Sequence, residues 1–231
     1  MRPKSRPKTA DTGLSASERI KAGILAAATR EFSEKGLAGA RVNRIAGRTE
    51  SSKRMIYYYF GSKLGLYLTV LEKAYEHTSV IESAVRADEL APDEALRELV
   101  RQNFNYYHDN PGFVRLVMNE NIVRAGDVGS MPGVRQRRHA IVATLQGLLD
   151  RGVEARVFRS KIDPVELHMS ISGLCFHSAS NRHTVSSVFD RDLTSPGAVA
   201  ARRESIVDMV LCWCCLDQSR AMRPATPARS P

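Results

Sequence analysis

The chain has little cysteine, a single tryptophan and no long uncharged apolar run. Its 231 residues include four Cys and one Trp. No stretch reaches the roughly 18 uncharged apolar residues that a membrane span needs. The opening MRPKSRPKTADTG is basic but is followed by no apolar segment, so it does not read as a secretory leader, and a cytoplasmic protein is expected. Three of the cysteines, Cys212, Cys214 and Cys215, crowd into LCWCCL with no histidine near them in sequence. C-x-C-C on a helix is a poor tetrahedral zinc site. With Cys175 they read as small core hydrophobes in a reducing compartment. No metal and no cofactor is expected. Also missing are a Gly-rich phosphate loop, a G-x-S-x-G elbow, an H-E-x-x-H pair and paired acids in a catalytic setting. The chain is therefore expected not to be an enzyme.

What is present is positive charge, unevenly placed. The formal net charge is +9. Residues 1–80 carry 15 Lys/Arg against 7 Asp/Glu, an excess of +8; residues 81–231 carry 19 against 18, an excess of +1. A positive field confined to the first third of a chain points to a polyanion, most simply nucleic acid.

Nearly every long segment has helical periodicity, and strand-like alternation is scarce. The spacing predicts about nine helices. The first starts at Ser15 or Ser17, with Ser17 read as its N-cap and Gly36 as its C-cap. Short helices follow at Val42–Arg48 and Ser52–Tyr59, and a longer one runs from Ser62 into the 80s. Helices are then expected from Pro92 to His108, Phe113 to Arg124, Val134 to Gly152, Asp163 to about Val185, and Ala198 to Gln218. The expected organisation is a disordered basic tail (1–13), a three-helix head (14–62), a larger charge-balanced body (63–218) and a disordered end (219–231). The fold class is all-α.

Three short helices within about 50 residues, the last two separated by Thr49-Glu50-Ser51, have helix-turn-helix spacing. The run SSKRMIYYYFGSK (Ser51–Lys63) looks at first like a strand. On a 3.6-residue wheel it splits: Met55, Ile56, Tyr59 and Phe60 fall on one half, and Lys53, Arg54, Tyr57 and Tyr58 on the other. Tyrosine can donate to a phosphate oxygen while its ring packs on sugar or base. Arg54, early in the third helix, is placed for the bidentate contact to guanine. Lys63 opens the next helix, where an ammonium and backbone N–H groups together suit a phosphate. Two readings stand for Arg2, Lys4, Arg6 and Lys8: an arm for the flanking minor groove, or a solubilising end.

The segment from Glu18 to Tyr67, ERIKAGILAAATREFSEKGLAGARVNRIAGRTESSKRMIYYYFGSKLGLY, resembles the N-terminal DNA-binding domain of TetR-type transcriptional regulators, over about residues 17–68. The carrying residues are Ile24, Ala27, Ala28, Phe32, Gly36, Val42, Ile45-Ala46, Ser52-Lys53, Ile56-Tyr57, Tyr59-Phe60 and Ser62-Lys63. The resemblance implies a homodimer on a near-palindromic double-stranded DNA operator, acting as a repressor released by a small molecule. It implies DNA contacts from Arg41, Asn43, Arg44, Ser52, Lys53, Arg54, Met55, Tyr57, Tyr58 and Lys63. Two positions depart from the family. Glu50-Ser51 stands where Gly-Val is common, so Glu50 is expected in a left-handed turn conformation at a cost of about 1 kcal/mol. Arg54 replaces a small residue and adds a reader.

In the body, the last two helices carry Leu167, Ile171, Leu174, Ile206, Met209, Val210 and Trp213. Two such helices from each of two chains would form a four-helix bundle, with Cys212 and Cys215 as interface or core packing. Asn103, Tyr107, His108, Asn119, His177 and Asn181 are polar groups among apolar helix faces, the mixture that lines small-molecule pockets. Asn103 and Tyr107, like His177 and Asn181, are four apart and share a face. FNYYHDNPGFVRLVMNENIVRAG is similar, more loosely, to the ligand domain of TetR relatives and names no ligand. A DNA-binding architectural dimer without a ligand is disfavoured, because about 150 further residues are not needed to bind DNA.

Overall fold

A computed structural model describes residues 15–84, 90–123, 129 and 131–217. The two expected tails and three residues of the loop DVGSMPG (127, 128 and 130) lie outside the described residues. Among the described residues there are ten helices: α1 (Ala16–Gly39), α2 (Val42–Gly47), α3 (Lys53–Phe60), α4 (Lys63–Ala84), α5 (Pro92–Asp109), α6 (Pro111–Val123), α7 (Pro132–Glu154), α8 (Pro164–Ser180), α9 (Arg182–Val188) and α10 (Pro196–Cys214). Five of them begin with proline at the first helical position, where its missing N–H costs nothing. The sequence pattern had Pro111, Pro132 and Pro196 outside their helices; all three instead start them. The long helix expected from Asp163 to Val185 is two: at Asn181 the backbone leaves the helical region (φ −105°, ψ 4°), and its N–H closes the last turn of α8 on the His177 carbonyl.

The chain divides into two compact units, one ending at Val70 and the other starting at Leu71. The division falls inside α4, so the first turns of that helix pack with the head. Leu66, Tyr67 and Val70 are buried there, and the Tyr67 ring meets Phe32 edge-on at 5.1 Å.

The head begins at Ser15 rather than Ser17. Ser15 and Glu18 make a capping box: the Glu18 N–H donates to Ser15 Oγ (3.3 Å) and the Ser15 N–H donates to Glu18 Oε2 (2.7 Å). Ser17 donates to the Tyr59 hydroxyl instead (3.3 Å). Gly36 marks a kink (φ 63°), and α1 runs on to Gly39. Ile24, Ala28, Phe32, Val42, Ile45 and Ile56 form the buried interior.

One charged side chain sits in that interior. Glu31 is fully buried. Its Oε1 accepts the backbone N–H of Arg41, the N-cap residue of α2 (3.2 Å), and its Oε2 pairs with the Arg48 guanidinium just past the other end of α2 (3.4 Å). A single carboxylate therefore holds both ends of α2 against α1. The α2–α3 turn needs no left-handed residue: Glu50 does not have positive φ. Thr49 closes the turn. Its N–H donates to the Ala46 carbonyl, and its Oγ1 accepts the Ser51 N–H (3.3 Å). Between α3 and α4, Gly61 takes φ 72°, and a Cβ on Gly65 would lie 2.3 Å from the Phe60 carbonyl oxygen. These two glycines permit the tight bend that follows α3.

The body is built around α5, which packs against α8, α10 and α7. Ala95, Leu96, Leu99, Val100 and Phe104 are its buried stripe, and they share one core with Leu145, Leu148, Phe158, Leu167, Ile171, Ile206, Val207 and Leu211. Arg101 clamps α5 to α10 through a two-pronged contact with Glu204 (2.7 and 3.2 Å). That contact raises the Arg101 pKa and lowers that of Glu204, each chiefly through the shared hydrogen bonds. After α10 the chain is latched to residues 157–159: the Leu216 N–H donates to the Val157 carbonyl, and the Arg159 N–H to the Cys214 carbonyl.

Removing one partner of a buried charge pair strands the other charge. Arg48→Ala leaves the fully buried Glu31 carboxylate without its cation and is expected to destabilise the head by about 3 kcal/mol. Glu31→Ala removes the buried charge itself and leaves a guanidinium that is 37% exposed to water, so its expected cost is about 1–2 kcal/mol, chiefly the unsatisfied Arg41 N–H. Urea unfolding of the two variants checks the order, and an Arg48→Ala loss below that of Glu31→Ala would refute it.

Candidate nucleic-acid interface and ligand cavities

Helix α3 is strongly amphipathic, and its faces set the site. Ser52 caps it by accepting the Met55 N–H (3.2 Å). Ile56 is the anchor, at 1% exposure, with Met55, Tyr59 and Phe60 half-buried beside it. Lys53, Arg54, Tyr57 and Tyr58 are on the outside, and Tyr58 is 83% exposed. The wheel reading of the aromatic run therefore describes the helix. The exposed side is ordered by its own contacts. Lys53 Nζ lies 5.9 Å from the centre of the Tyr57 ring, and Tyr58 meets Tyr59 edge-on at 5.3 Å. Lys21, on α1, lies over Tyr59 at 5.2 Å and brings a further cation to the same helix.

Arg41, Asn43 and Arg44 are exposed on α2 and its cap, and Ser52 is exposed at the start of α3. Lys63 is half-buried, and its ammonium donates to the Ala38 carbonyl at the end of α1 (3.2 Å). Two of its three hydrogens stay available. The head thus carries exposed cations on two consecutive helices joined by a short turn, with two tyrosine rings projecting among them.

The body holds two sizeable cavities. One, about 470 Å³, is lined by Tyr75 of α4, by Val134, Arg137, His139, Ile141 and Val142 of α7, and by Val165 and His168 of α8. Its walls are mainly apolar, with a few polar groups. Burial lowers the His168 pKa, which keeps the imidazole neutral and able both to donate and to accept. Burial, reinforced by the Glu120 carboxylate, raises the pKa of the Tyr75 hydroxyl. Arg137 donates to the Glu72 carbonyl on α4 (3.2 Å). A narrow cleft that shares Ile141 and His168 with this cavity reaches Asn103, whose amide donates to the Leu99 carbonyl (3.0 Å). The second cavity, about 270 Å³, lies among α5, α8, α9 and α10, with His108 and His177 on its walls.

The six polar residues singled out in the body do not form one site. His108 and His177 share the second cavity, and Asn103 reaches toward the first. Tyr107 packs its ring on Phe113 and Phe176. Asn181 closes the end of α8, and Asn119 lines neither cavity. Helical spacing placed pairs on a face but not the faces on a cavity. Tyr75, Arg137 and His168 were missed because nothing local in sequence marks them as facing one another across three helices.

Of the seven apolar residues expected to build a dimer bundle, Leu167, Ile171, Ile206 and Val210 are already buried in the chain's own core. Met209 (41%) and Trp213 (37%) remain exposed, alongside Val165 (46%) and Met169 (54%) on α8. Cys175, Cys214 and Cys215 are buried free thiols, and burial pushes Cys175 and Cys214 up to about 12.

Comparison with known proteins agrees with this architecture. The family model for bacterial regulatory proteins of the tetR family matches residues 24–70, and that for the tetracyclin repressor-like C-terminal domain matches residues 92–210. The chain is 35% identical over 206 residues to the HTH-type transcriptional repressor NicS of Pseudomonas putida, covering 88% of this chain and 97% of that one. It is 32% identical over 137 residues to the HTH-type transcriptional repressor SCO4008 of Streptomyces coelicolor, covering 59% and 68%. A crystal structure of a tetR-family regulatory protein from Rhodococcus RHA1 superposes with a TM-score of 0.67 at 18% identity, over 88% of this chain and all of that one. The helix-turn-helix head, the helical body and two family matches that together span most of the described residues lead to one assignment: the chain belongs to the TetR family of DNA-binding transcriptional regulators.

Proposed function

We propose that this regulator is a cytoplasmic homodimer that represses transcription from a near-palindromic operator and is released by a small molecule in the α4–α7–α8 cavity. The observation that carries the DNA reading is the exposed side of α3. Two cations and two large rings are exposed opposite a fully anchored Ile56, an excess of exposed aromatic surface that the packing of the head does not call for. Arg54 reads a guanine in the major groove; Lys53, Tyr57, Tyr58, Arg41, Asn43, Arg44, Ser52, Met55 and Lys63 supply phosphate, sugar and further base contacts. Two relatives named as repressors support the sign of regulation.

The effector reading rests on chemistry and connection. The 470 Å³ cavity has the size and apolar walls of a small-molecule site, with His168 and Arg137 as orienting groups. Tyr75 lines it from α4, the same helix whose first turns pack in the head. A ligand that pulls on Tyr75 acts on the helix that follows the reader. Dimerisation is assigned to the exposed stripe of Val165, Met169, Met209 and Trp213.

Three measurements test this. Operator fragments recovered by genomic pull-down serve as anisotropy probes. Arg54→Ala is expected to lose about 1–3 kcal/mol of affinity at one base pair and relax specificity there, whereas Lys53→Ala weakens all sequences alike and lowers the salt slope by about one. A uniform loss for Arg54→Ala would make it a phosphate contact. Val142→Phe, which puts a ring in the cavity, is expected to abolish derepression in a reporter strain while operator affinity stays within about twofold. Unchanged derepression would place the effector elsewhere. Met169→Asp with Met209→Asp is expected to convert a dimer to a monomer in sedimentation, with collapse of operator affinity, because each half-site is then bound independently. A dimer that survives both charges would move the interface off this stripe.

A further inference from the structure

The second cavity differs from the first in its charge. Arg182 of α9, Arg191 of the α9–α10 connection and Arg202 of α10 all line it, together with the imidazoles of His108 and His177. No carboxylate lines it. Two acidic side chains near it in sequence, Asp192 and Glu204, are engaged elsewhere. Asp192 accepts from the Thr194 N–H (2.8 Å), the Thr194 hydroxyl (2.6 Å) and the Ser195 N–H (3.2 Å), which closes the turn into α10 and lowers its pKa. Glu204 is held by Arg101 and Arg203. Among the described residues, neither Arg191 nor Arg202 makes an ion pair. Arg182 donates only to the neighbouring His183 ring (3.3 Å). The charge of Arg202 also reaches inward, where it partly offsets the effect of burial on the Cys175 thiol.

Three guanidinium groups around one hollow repel each other, and no residue on its walls neutralises them. Apolar side chains share the lining. Phe104 and His108 stack with ring centres 6.1 Å apart and planes 8° from parallel, and Val185, Leu193 and Val199 add aliphatic surface. Guanidinium forks bind carboxylates in two-pronged fashion, and aromatic and aliphatic lining suits a compact ring or short chain. The volume, about 270 Å³, limits the occupant to a small molecule.

We infer that this α5–α8–α9–α10 cavity is a second ligand site, separate from the α4–α7–α8 cavity, that binds a small carboxylate with a compact apolar body. The arginines take the carboxylate and the Phe104–His108 stack takes the body.

Calorimetric titration of the full-length protein with benzoate, its neutral isostere benzamide, and inorganic phosphate tests the inference. Benzoate is expected to bind saturably, and benzamide at least about tenfold more weakly, since the loss of charge-assisted hydrogen bonds is worth at least that factor. Arg191→Gln and Arg202→Gln, each checked for an unchanged far-ultraviolet spectrum, are expected to weaken benzoate at least about tenfold. Arg191 is exposed, so its variant serves even where the Arg202 variant fails to fold. Val142→Phe, in the other cavity, is expected to leave benzoate binding intact, which keeps this result independent of the effector reading. Equal binding of benzoate and benzamide, retention of wild-type affinity by Arg191→Gln, or loss through Val142→Phe would overturn the site. Binding of phosphate without benzoate would overturn the ligand class.

Discussion

A reading helix recognises DNA only if it is held still, and in this head the holding converges on one buried carboxylate. Glu31 reaches from α1 to both ends of α2, taking the backbone N–H of Arg41 at one and the Arg48 guanidinium at the other. Helix α2 has six residues and no side-chain cap, too short to persist without such ties. Helix α3 then packs on α2, with Ile45 and Ile56 both buried in the head's interior. The exposed cations of α3 are therefore positioned by a chain of contacts that starts in an ion pair no solvent reaches on the Glu31 side. An apolar residue at position 31 would pack as well, but it could not satisfy the Arg41 N–H, and a buried unpaired donor is costly.

The body solves a different problem. Its central helix α5 gives one stripe to the core and leaves neighbouring positions at the walls of hollows. Asn103 reaches toward the apolar cavity, and Phe104 and His108 line the arginine-rich one. Close packing elsewhere makes these hollows conspicuous, because a void forfeits the contacts of every atom that lines it. The two hollows differ in what would fill them. The larger offers apolar walls and a neutral histidine, and the smaller offers three uncompensated positive charges.

Much of this was legible in the sequence, and the failures have physical causes. The all-α class, the three-helix head and the split of the tyrosine run follow from periodicity, which is local. Ser17 looked like a cap as good as Ser15, but only Ser15 has a glutamate three residues on to return the hydrogen bond. Glu50 was expected to be strained because a glycine is common there; the Thr49 hydroxyl closes the turn without left-handed backbone. The break of the long helix at Asn181 is a change of backbone conformation at a single residue, which no periodicity reveals. The cavities were the least legible. Arg182, Arg191 and Arg202 belong to two helices and the connection between them, and they carry no shared sequence signal.

Helix α8 is where these parts meet. Val165 and His168 line the apolar cavity, and His177 lines the arginine-rich one, nine residues or about 14 Å further along the same helix. Val165 and Met169 also stand in the exposed apolar stripe. A rigid helix cannot yield at one point and stay fixed at another, so an occupant of either hollow bears on the same element. Coupling of that kind is reciprocal: whatever one ligand does to the affinity of the other, the second does equally to the first. Two sites of opposite chemistry on one helix would make the regulator's response depend on both, through the same helix whose exposed apolar stripe is the proposed dimer surface.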